Sequence, residues 1–384
     1  MHAALEVLRY DPQAGAERRW QRYELELPAG STVLEALMAV QDDQDGTLTF
    51  RRACRHAICG SCGMRINGCA KLACNTQVSV AMEQAAQMAA FPGDAGGDDG
   101  AAGGGGSASG PGDRNDSPDS PDAPVSPSKG VPAIRLEPLG NMPVVKDLVT
   151  DMDTFWRKLR ERRPWLFPPA AAPGPDDEYR MSPAEYDVLA EGLLCVECGC
   201  CYSDCNSLDS EPRFHGPTAF VKAFRYAVDP RDAALHERAV DLSEEHGVWE
   251  CMRCYFCTQR CPKHIRVREL IAQLGALAVR GGLETDPGAR HAQAFVDSLR
   301  ASGRLNETDL AVKSQGWAWA AQRLPMAVRI ALAGKLSLPP RPVPGHERLL
   351  KVMRVAEERE RSISGDHTVP APPPEHRETT EMDD

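Results

Sequence analysis

Fourteen cysteines constrain this 384-residue chain more than any other feature. Twelve fall into three groups: Cys54, Cys59, Cys62 and Cys74; Cys195, Cys198, Cys201 and Cys205; Cys251, Cys254, Cys257 and Cys261. Grouped thiols serve as a disulfide framework or as metal ligands, and the redox compartment decides between them. The opening residues, MHAALEVLRYDP, contain no basic region followed by an apolar run, so no secretory signal is expected. A cytoplasmic chain is therefore expected, with its clustered thiols kept reduced for metal.

The first group reads Cys54-Arg-His-Ala-Ile-Cys59-Gly-Ser-Cys62, a C-x4-C-x2-C run, with Cys74 returning from the next strand. This is the plant-type ferredoxin spacing for a 2Fe–2S cluster. Gly60 and Gly63 are expected to let the backbone wrap closely enough for its N–H groups to reach the sulfurs. Structural zinc usually takes two C-x2-C pairs, which this triple does not offer.

Cys251-Met-Arg-Cys254-Tyr-Phe-Cys257-Thr-Gln-Arg-Cys261-Pro262 is the C-x2-C-x2-C-x3-C-P run of bacterial ferredoxins. Cys195-Val-Glu-Cys198-Gly-Cys200-Cys201-Tyr-Ser-Asp-Cys205 repeats the spacing, with Asn206 in place of the proline. In two-cluster ferredoxins the fourth cysteine of each run ligates the other cluster. One 4Fe–4S cluster is thus expected on Cys195, Cys198, Cys201 and Cys261. A second is expected on Cys205, Cys251, Cys254 and Cys257, becoming 3Fe–4S if Cys254 is unused. Cys69 and Cys200 are left over; Cys200 could stand in for Cys201, but only Cys201 keeps both intervals. Met252, Tyr255 and Phe256 are expected to wall the third cluster from water.

Around these groups the periodicity changes. Leu5 and Val7, then Tyr23, Leu25 and Leu27, alternate with polar residues as half-buried strands do. Thr32–Gln41 reads as a helix capped by Ser31, and 134–142 as a strand and turn. Residues 92–130 are Gly, Asp, Ser, Pro and Ala with little to bury, so disorder is expected there and in the polar tail 359–384. From Val144 the apolar residues Val145, Leu148, Val149, Met152, Phe155, Trp156 and Leu159 predict helix, as do Val267–Val279 and Phe295–Leu299. The expected division is 1–91 with 131–150 as the first domain and 151–358 as the second.

A formal charge of -11 argues against nucleic acid as a partner, because phosphate recognition needs a basic face. No uninterrupted apolar run is long enough to span a bilayer. The best stretch, Trp317–Leu338, is broken by Gln322, Arg323, Pro325, Arg329 and Lys335, and reads as an amphipathic helix packed on this protein or on a partner.

Beyond its cysteines the chain resembles the iron–sulfur subunit of succinate dehydrogenase and fumarate reductase. The resemblance is carried by Cys54–Cys74, by Glu137-Pro-Leu-Gly-Asn-Met-Pro-Val-Val-Lys-Asp-Leu-Val-Thr-Asp-Met152, by Gly216-Pro-Thr-Ala-Phe-Val-Lys-Ala-Phe-Arg-Tyr226 and by Asp229-Pro-Arg-Asp232. It implies an α+β chain: an N-terminal β-grasp 2Fe–2S ferredoxin domain followed by an all-α helical ferredoxin domain. It also implies a FAD-containing flavoprotein partner and peripheral attachment to the inner membrane through partner subunits. Most members lack a cysteine matching Cys254 and hold 3Fe–4S there; this chain has one, which favours 4Fe–4S. Quinone-reducing members carry a proline and a tryptophan pair, and a histidine, where this chain has Asn206-Ser-Leu-Asp and Met252. Ser298-Leu-Arg-Ala-Ser-Gly-Arg304-Leu-Asn-Glu307 and Gly334-Lys-Leu-Ser-Leu-Pro-Pro-Arg341 resemble the ferredoxin-type subunit of heterodisulfide reductases, whose partner is a CCG-domain protein.

The function implied is electron transfer between a flavoprotein and a CCG-domain or membrane-anchor subunit, with no residue acting as substrate acid, base or nucleophile. Arg55 and His56 are expected at the loop surface, free to meet the flavoprotein. The competing readings are a linker subunit of a heterodisulfide-reductase-like or other flavin dehydrogenase complex, and an iron–sulfur sensor. Three complete clusters in series favour transport, since a sensor needs one labile cluster.

Overall fold

The alternating segments of the N-terminal region assemble into a five-stranded mixed sheet in the computed structural model of the chain. The structure describes residues 1–15, 17–90, 132–170, 173–174, 176–243, 246–280, 283, 286–335 and 341–364. Two compact units are distinguished: Met1–Arg157 with Cys195–Cys205 and Tyr255–Ile265, and Lys158–Leu194 with Asn206–Cys254 and Arg266–Asp384.

In the first unit, β1 (His2–Arg9) pairs antiparallel with β2 (Arg19–Glu26) from His2↔Glu26 to Arg9↔Arg19. After α1 (Val33–Asp43) come β3 (Gly63–Ile66), β4 (Cys69–Leu72) and α2 (Val78–Ala90). The central strand, β5 (Ala133–Glu137), enters only after residues 91–131. It lies parallel to β1 through Ala4↔Ala133 and antiparallel to β3 through Ile66↔Leu136, giving the order β2-β1-β5-β3-β4. β2 alternates as its sequence predicts, with Tyr23 and Leu25 buried and Glu24 and Glu26 exposed. β1 does not: Ala3, Ala4, Leu5, Val7 and Leu8 are all buried, because an inner strand is covered on both faces. Thr32, not Ser31, caps α1. Its hydroxyl accepts from the Glu35 N–H at 3.2 Å while the Glu35 carboxylate accepts from the Thr32 N–H at 2.7 Å.

The helix expected from Val144 starts later. β6 (Val144–Lys146) and β7 (Val149–Thr150) form a hairpin first, and α3 (Asp153–Glu161) begins after it. At the hairpin turn Asp147 has φ 43° and is almost fully buried. Its Oδ1 accepts from Arg9 Nε at 2.9 Å and from the Tyr10 N–H at 3.0 Å, and its Oδ2 from the Thr49 N–H at 2.9 Å. Arg9 also donates to Tyr23 Oη, Asp45 Oδ2 and Thr47 Oγ1. This buried pair therefore fastens β1, the turn after α1 and the hairpin to one another.

The remaining elements among the described residues are helices: α4 (Pro183–Leu193), α5 (Cys200–Ser203), α6 (Asn206–Ser210), α7 (Pro217–Ala227), α8 (Leu235–Ser243), α9 (Phe256–Gln259), α10 (Val267–Arg280), α11 (Pro287–Ser302), α12 (Glu307–Gln315), α13 (Trp317–Gln322), α14 (Leu324–Leu332) and α15 (His346–Ser364). In the second unit α7 buries Phe220, Val221 and Phe224, and α10 buries Leu270, Ile271 and Leu274, where the two pack together. Trp249 fits between α10 and α11 because Gly275 and Gly288 leave it room; a Cβ on Gly288 would stand 2.4 Å from it. Arg238, buried in α8, forks onto Asp232 and donates to the carbonyls of Arg163 and Trp165. The single helix expected over Trp317–Leu338 is two short ones divided at Arg323, and neither buries a residue. α15 runs to Ser364, past the expected start of the tail at 359, while segment 92–130 and residues 365–384 lie outside the described residues.

Asp147→Ala is expected to cost about 3–5 kcal/mol, since it leaves part of a buried cation unanswered. Asp11→Ala, which removes a solvent-screened pair with Lys146, should cost far less. Urea denaturation of both variants checks the contrast.

Candidate metal centres

The loop that follows Phe50 has too little hydrogen-bonded structure of its own to satisfy its amides, and it turns them onto sulfur. Arg55 and Ala57 adopt left-handed conformations, with φ 58° and 54°. In consequence the N–H groups of His56, Ile58 and Cys59 donate to Cys54 Sγ at 3.3, 3.4 and 3.3 Å. The Ala57 N–H reaches Cys74 Sγ at 3.2 Å, and the Cys54 N–H reaches Cys59 Sγ at 3.5 Å. Cys62 faces both Cys74 and Cys59, so the first group is brought together as its spacing predicts. The amides, that of His56 foremost, lower the Cys54 thiol to about 6, while burial pushes Cys62 up to about 12. A nest of N–H donors around four thiols fits a cofactor whose sulfurs carry negative charge. Arg55 and His56 are exposed, as expected, and Ile58 stands out beside them.

The two later runs fold alike. In Cys195-Val-Glu-Cys198-Gly199, Glu197 and Gly199 are left-handed, with φ 56° and 78°. In Cys251-Met-Arg-Cys254-Tyr255, Arg253 and Tyr255 are left-handed, with φ 59° and 66°. A one-turn helix, α5 or α9, follows each. Left-handed residues outside glycine cost about 1 kcal/mol or more apiece, so a pattern repeated at the same two offsets reflects a shared constraint.

Within the first unit the loops of the first two groups touch. Gly60 has φ 72°, and a Cβ there would stand 2.8 Å from both Cα and Cβ of Cys198. A Cβ on Gly63 would stand 2.9 Å from the Cys198 carbonyl oxygen. The two glycines therefore do more than let their own loop curl: they admit the backbone of the second. Asn141, left-handed at φ 57°, donates from Nδ2 to the carbonyls of Tyr202, Ser203 and Cys205 at 3.0, 3.0 and 3.2 Å. The Gly140 N–H donates to Ser203 Oγ at 2.8 Å. Buried Asp204 accepts from Arg260 Nε at 2.7 Å and from the Ala70 N–H at 3.0 Å, tying α5 to the residue before Cys261 and to β4. No role is expected for Asn141 and Asp204 from the sequence: both lie inside the segments quoted above, yet no spacing rule marks them.

Of the three residues expected to wall the third cluster, Met252 and Tyr255 are exposed and Phe256 is half-buried. Val248, Trp249, Ile271 and Ala272 line a cavity of about 640 Å³ beside Cys251. The leftover Cys200 is buried, and its thiol meets that of Cys198, which this contact draws down to about 7. Cys69 lies at the start of β4 near Lys71. Among the described residues no three His, Cys, Asp or Glu side chains are grouped as ligands of one metal ion. Iron–sulfur cores spread their four cysteines over two or four irons, so they need no such group.

Residues 4–157 match the 2Fe-2S iron-sulfur cluster binding domain family, and residues 191–265 match the 4Fe-4S dicluster domain family. The chain is 32% identical over 334 residues to the 8-methylmenaquinol:fumarate reductase iron-sulfur subunit of Wolinella succinogenes, covering 85% of this chain and 90% of that one. It is 33% identical to the fumarate reductase iron-sulfur subunit of Mycobacterium tuberculosis, covering 68% of this chain and 86% of the relative. This protein belongs to the fumarate reductase and succinate dehydrogenase iron–sulfur subunits. A structure of the Mycobacterium smegmatis Sdh1 complex in the apo form contains a chain that agrees, with TM-score 0.52 and 26% identity over 73% of this chain and 96% of that one. The iron–sulfur subunit is thus an α+β electron-transfer component of an oxidoreductase complex, with 2Fe–2S and 4Fe–4S binding domains. No helix among its described residues is long and apolar enough to cross a membrane.

Two outcomes follow for the first loop. Gly60→Ala is expected to cost more than Gly30→Ala. Both sites have positive φ, at 72° and 85°, worth about 1–2 kcal/mol to an alanine. Only Gly60 also meets a neighbour, and urea denaturation of the two variants isolates that contact. Because Cys54 is lowered from 9.0 to about 6, its thiolate supports the loop fully above the unfolded value, and that support is lost as pH falls through about 6. Reconstitution of the 2Fe–2S chromophore from iron and sulfide should slow between pH 7.5 and 5.5, as followed by visible absorbance.

Proposed function

We propose that the iron–sulfur subunit relays single electrons between a FAD-containing flavoprotein that interconverts succinate and fumarate and an acceptor subunit of CCG-domain or membrane-anchor type. Cys54, Cys59, Cys62 and Cys74 would hold the 2Fe–2S group. Cys195, Cys198, Cys201 and Cys261 would hold one 4Fe–4S group, and Cys205, Cys251, Cys254 and Cys257 the second. Bound there, the clusters supply one-electron oxidation and reduction without proton transfer to substrate. The chain's own residues hold the thiolates, aim N–H groups at them and keep the first two loops in contact.

The observation that carries the reading is the repeated left-handed pair around Cys198 and Cys254. A loop built for a fourth ligand at Cys198 is built the same way at Cys254, which supports 4Fe–4S over 3Fe–4S at the third position.

Electron paramagnetic resonance of the complex, purified without oxygen, tests the reading. Succinate should raise a reduced 2Fe–2S signal, the oxidised sample should lack a 3Fe–4S signal, and Cys254→Ala should create one. If only a strong chemical reductant fills the clusters, the donor is another flavin dehydrogenase.

A further inference from the structure

A helix this poor in charge ordinarily buries at least one face. α14 (Leu324-Pro-Met-Ala-Val-Arg-Ile-Ala-Leu332) has one charged residue, Arg329, and α13 (Trp317-Ala-Trp-Ala-Ala-Gln322) has none, yet neither helix buries a side chain. Trp317 is 81% exposed and Leu332 84% exposed, with Leu324, Met326, Val328 and Ile330 open between them. Arg323, at the break between the helices, lies over the Trp319 ring at 4.9 Å. Large apolar side chains left open together in one segment point to a surface that something covers.

The charge of the segment says what covers it. Between Asp309 and Glu347 the sequence contains Lys313, Arg323, Arg329, Lys335 and Arg341 and no acidic residue, in a chain whose formal charge is -11. Exposed tryptophan and aliphatic side chains interleaved with spaced lysine and arginine, and free of acids, have the composition of a segment lying in a bilayer interface. The apolar side chains enter the acyl boundary, the indoles sit at headgroup depth, and the long basic side chains reach the phosphates. Neither helix is long enough to span, so the segment lies on the surface.

We propose that α13 and α14 bind directly to an anionic lipid surface, giving this subunit a membrane contact of its own besides any through its partners. The inference rests on exposure and charge and not on the identity of the electron donor.

The test is flotation of the full-length, cluster-loaded chain with two vesicle preparations. One is of equal parts phosphatidylglycerol and phosphatidylcholine, the other of phosphatidylcholine alone. The wild-type chain should float with the anionic vesicles, lose binding as salt is raised, and bind the neutral vesicles weakly. Each basic residue near the surface is worth roughly fivefold in partition, so R323Q/R329Q/K335Q should bind about 100-fold more weakly. W317S/L332S should weaken binding at all salt concentrations. All five positions are solvent-facing, and unchanged cluster absorbance verifies that the variants fold. No flotation of the wild-type chain, equal binding to both vesicles, or full binding by the charge variant each overturns the proposal. So does a wild-type chain that ignores vesicles but uses these residues to hold a protein subunit.

Discussion

Everything in the cysteine loops follows from giving anionic sulfur enough N–H donors in a short stretch of backbone. An extended or right-handed chain points its amides alternately or along one axis, so few can reach one thiol. Reversing φ at Arg55 and Ala57 turns successive amides inward, and three of them converge on Cys54. The same device recurs at Glu197 and Gly199 and at Arg253 and Tyr255. Only one of these six positions is glycine. The chain therefore carries left-handed strain at ordinary residues, which persists where the surroundings hold it in place.

Those surroundings are visible in the first unit. Gly60 and Gly63 allow the Cys198 backbone to approach, Asn141 ties down three carbonyls of the α5 segment, and Asp204 bridges to Arg260 and β4. Short approach between the loops matters for the protein's work, because electrons pass between centres through space and each intervening layer of side chains slows them. A subunit that moves electrons for a living packs backbone against backbone where a binding protein would place side chains.

The sequence was informative where one chemistry demands one spacing. The three cysteine groups, the helix Val267–Arg280 and the alternation of β2 were legible because each obeys a local period. The hairpin at Val144–Thr150 was not: its apolar residues also fit a helical period, and the strand choice is made by Asp147, whose partners Arg9 and Thr49 are remote in sequence. Burial of β1 on both faces was likewise invisible, since it depends on β5 arriving beside it. Met252 and Tyr255 misled for the converse reason. Being apolar next to a thiol ligand says nothing about direction, and both side chains are exposed. Asn141 and Asp204 have signals only in geometry.

The late entry of β5 has a consequence for how the protein is made. Strands β1, β3 and β4 are all synthesised before residue 133, so during translation β1 and β3 each wait with one edge unpaired. Edges of that kind invite pairing with other chains until the native partner arrives. The wait is lengthened by residues 91–131, yet the equilibrium cost of a longer insertion is slight, about 0.6 kcal/mol for each doubling of a closed loop. Selection on stability would hardly notice the length of this segment. Selection on folding speed and on aggregation at the ribosome would, and so would the timing of iron delivery, since the first cysteine loop emerges complete while its sheet is still missing its middle.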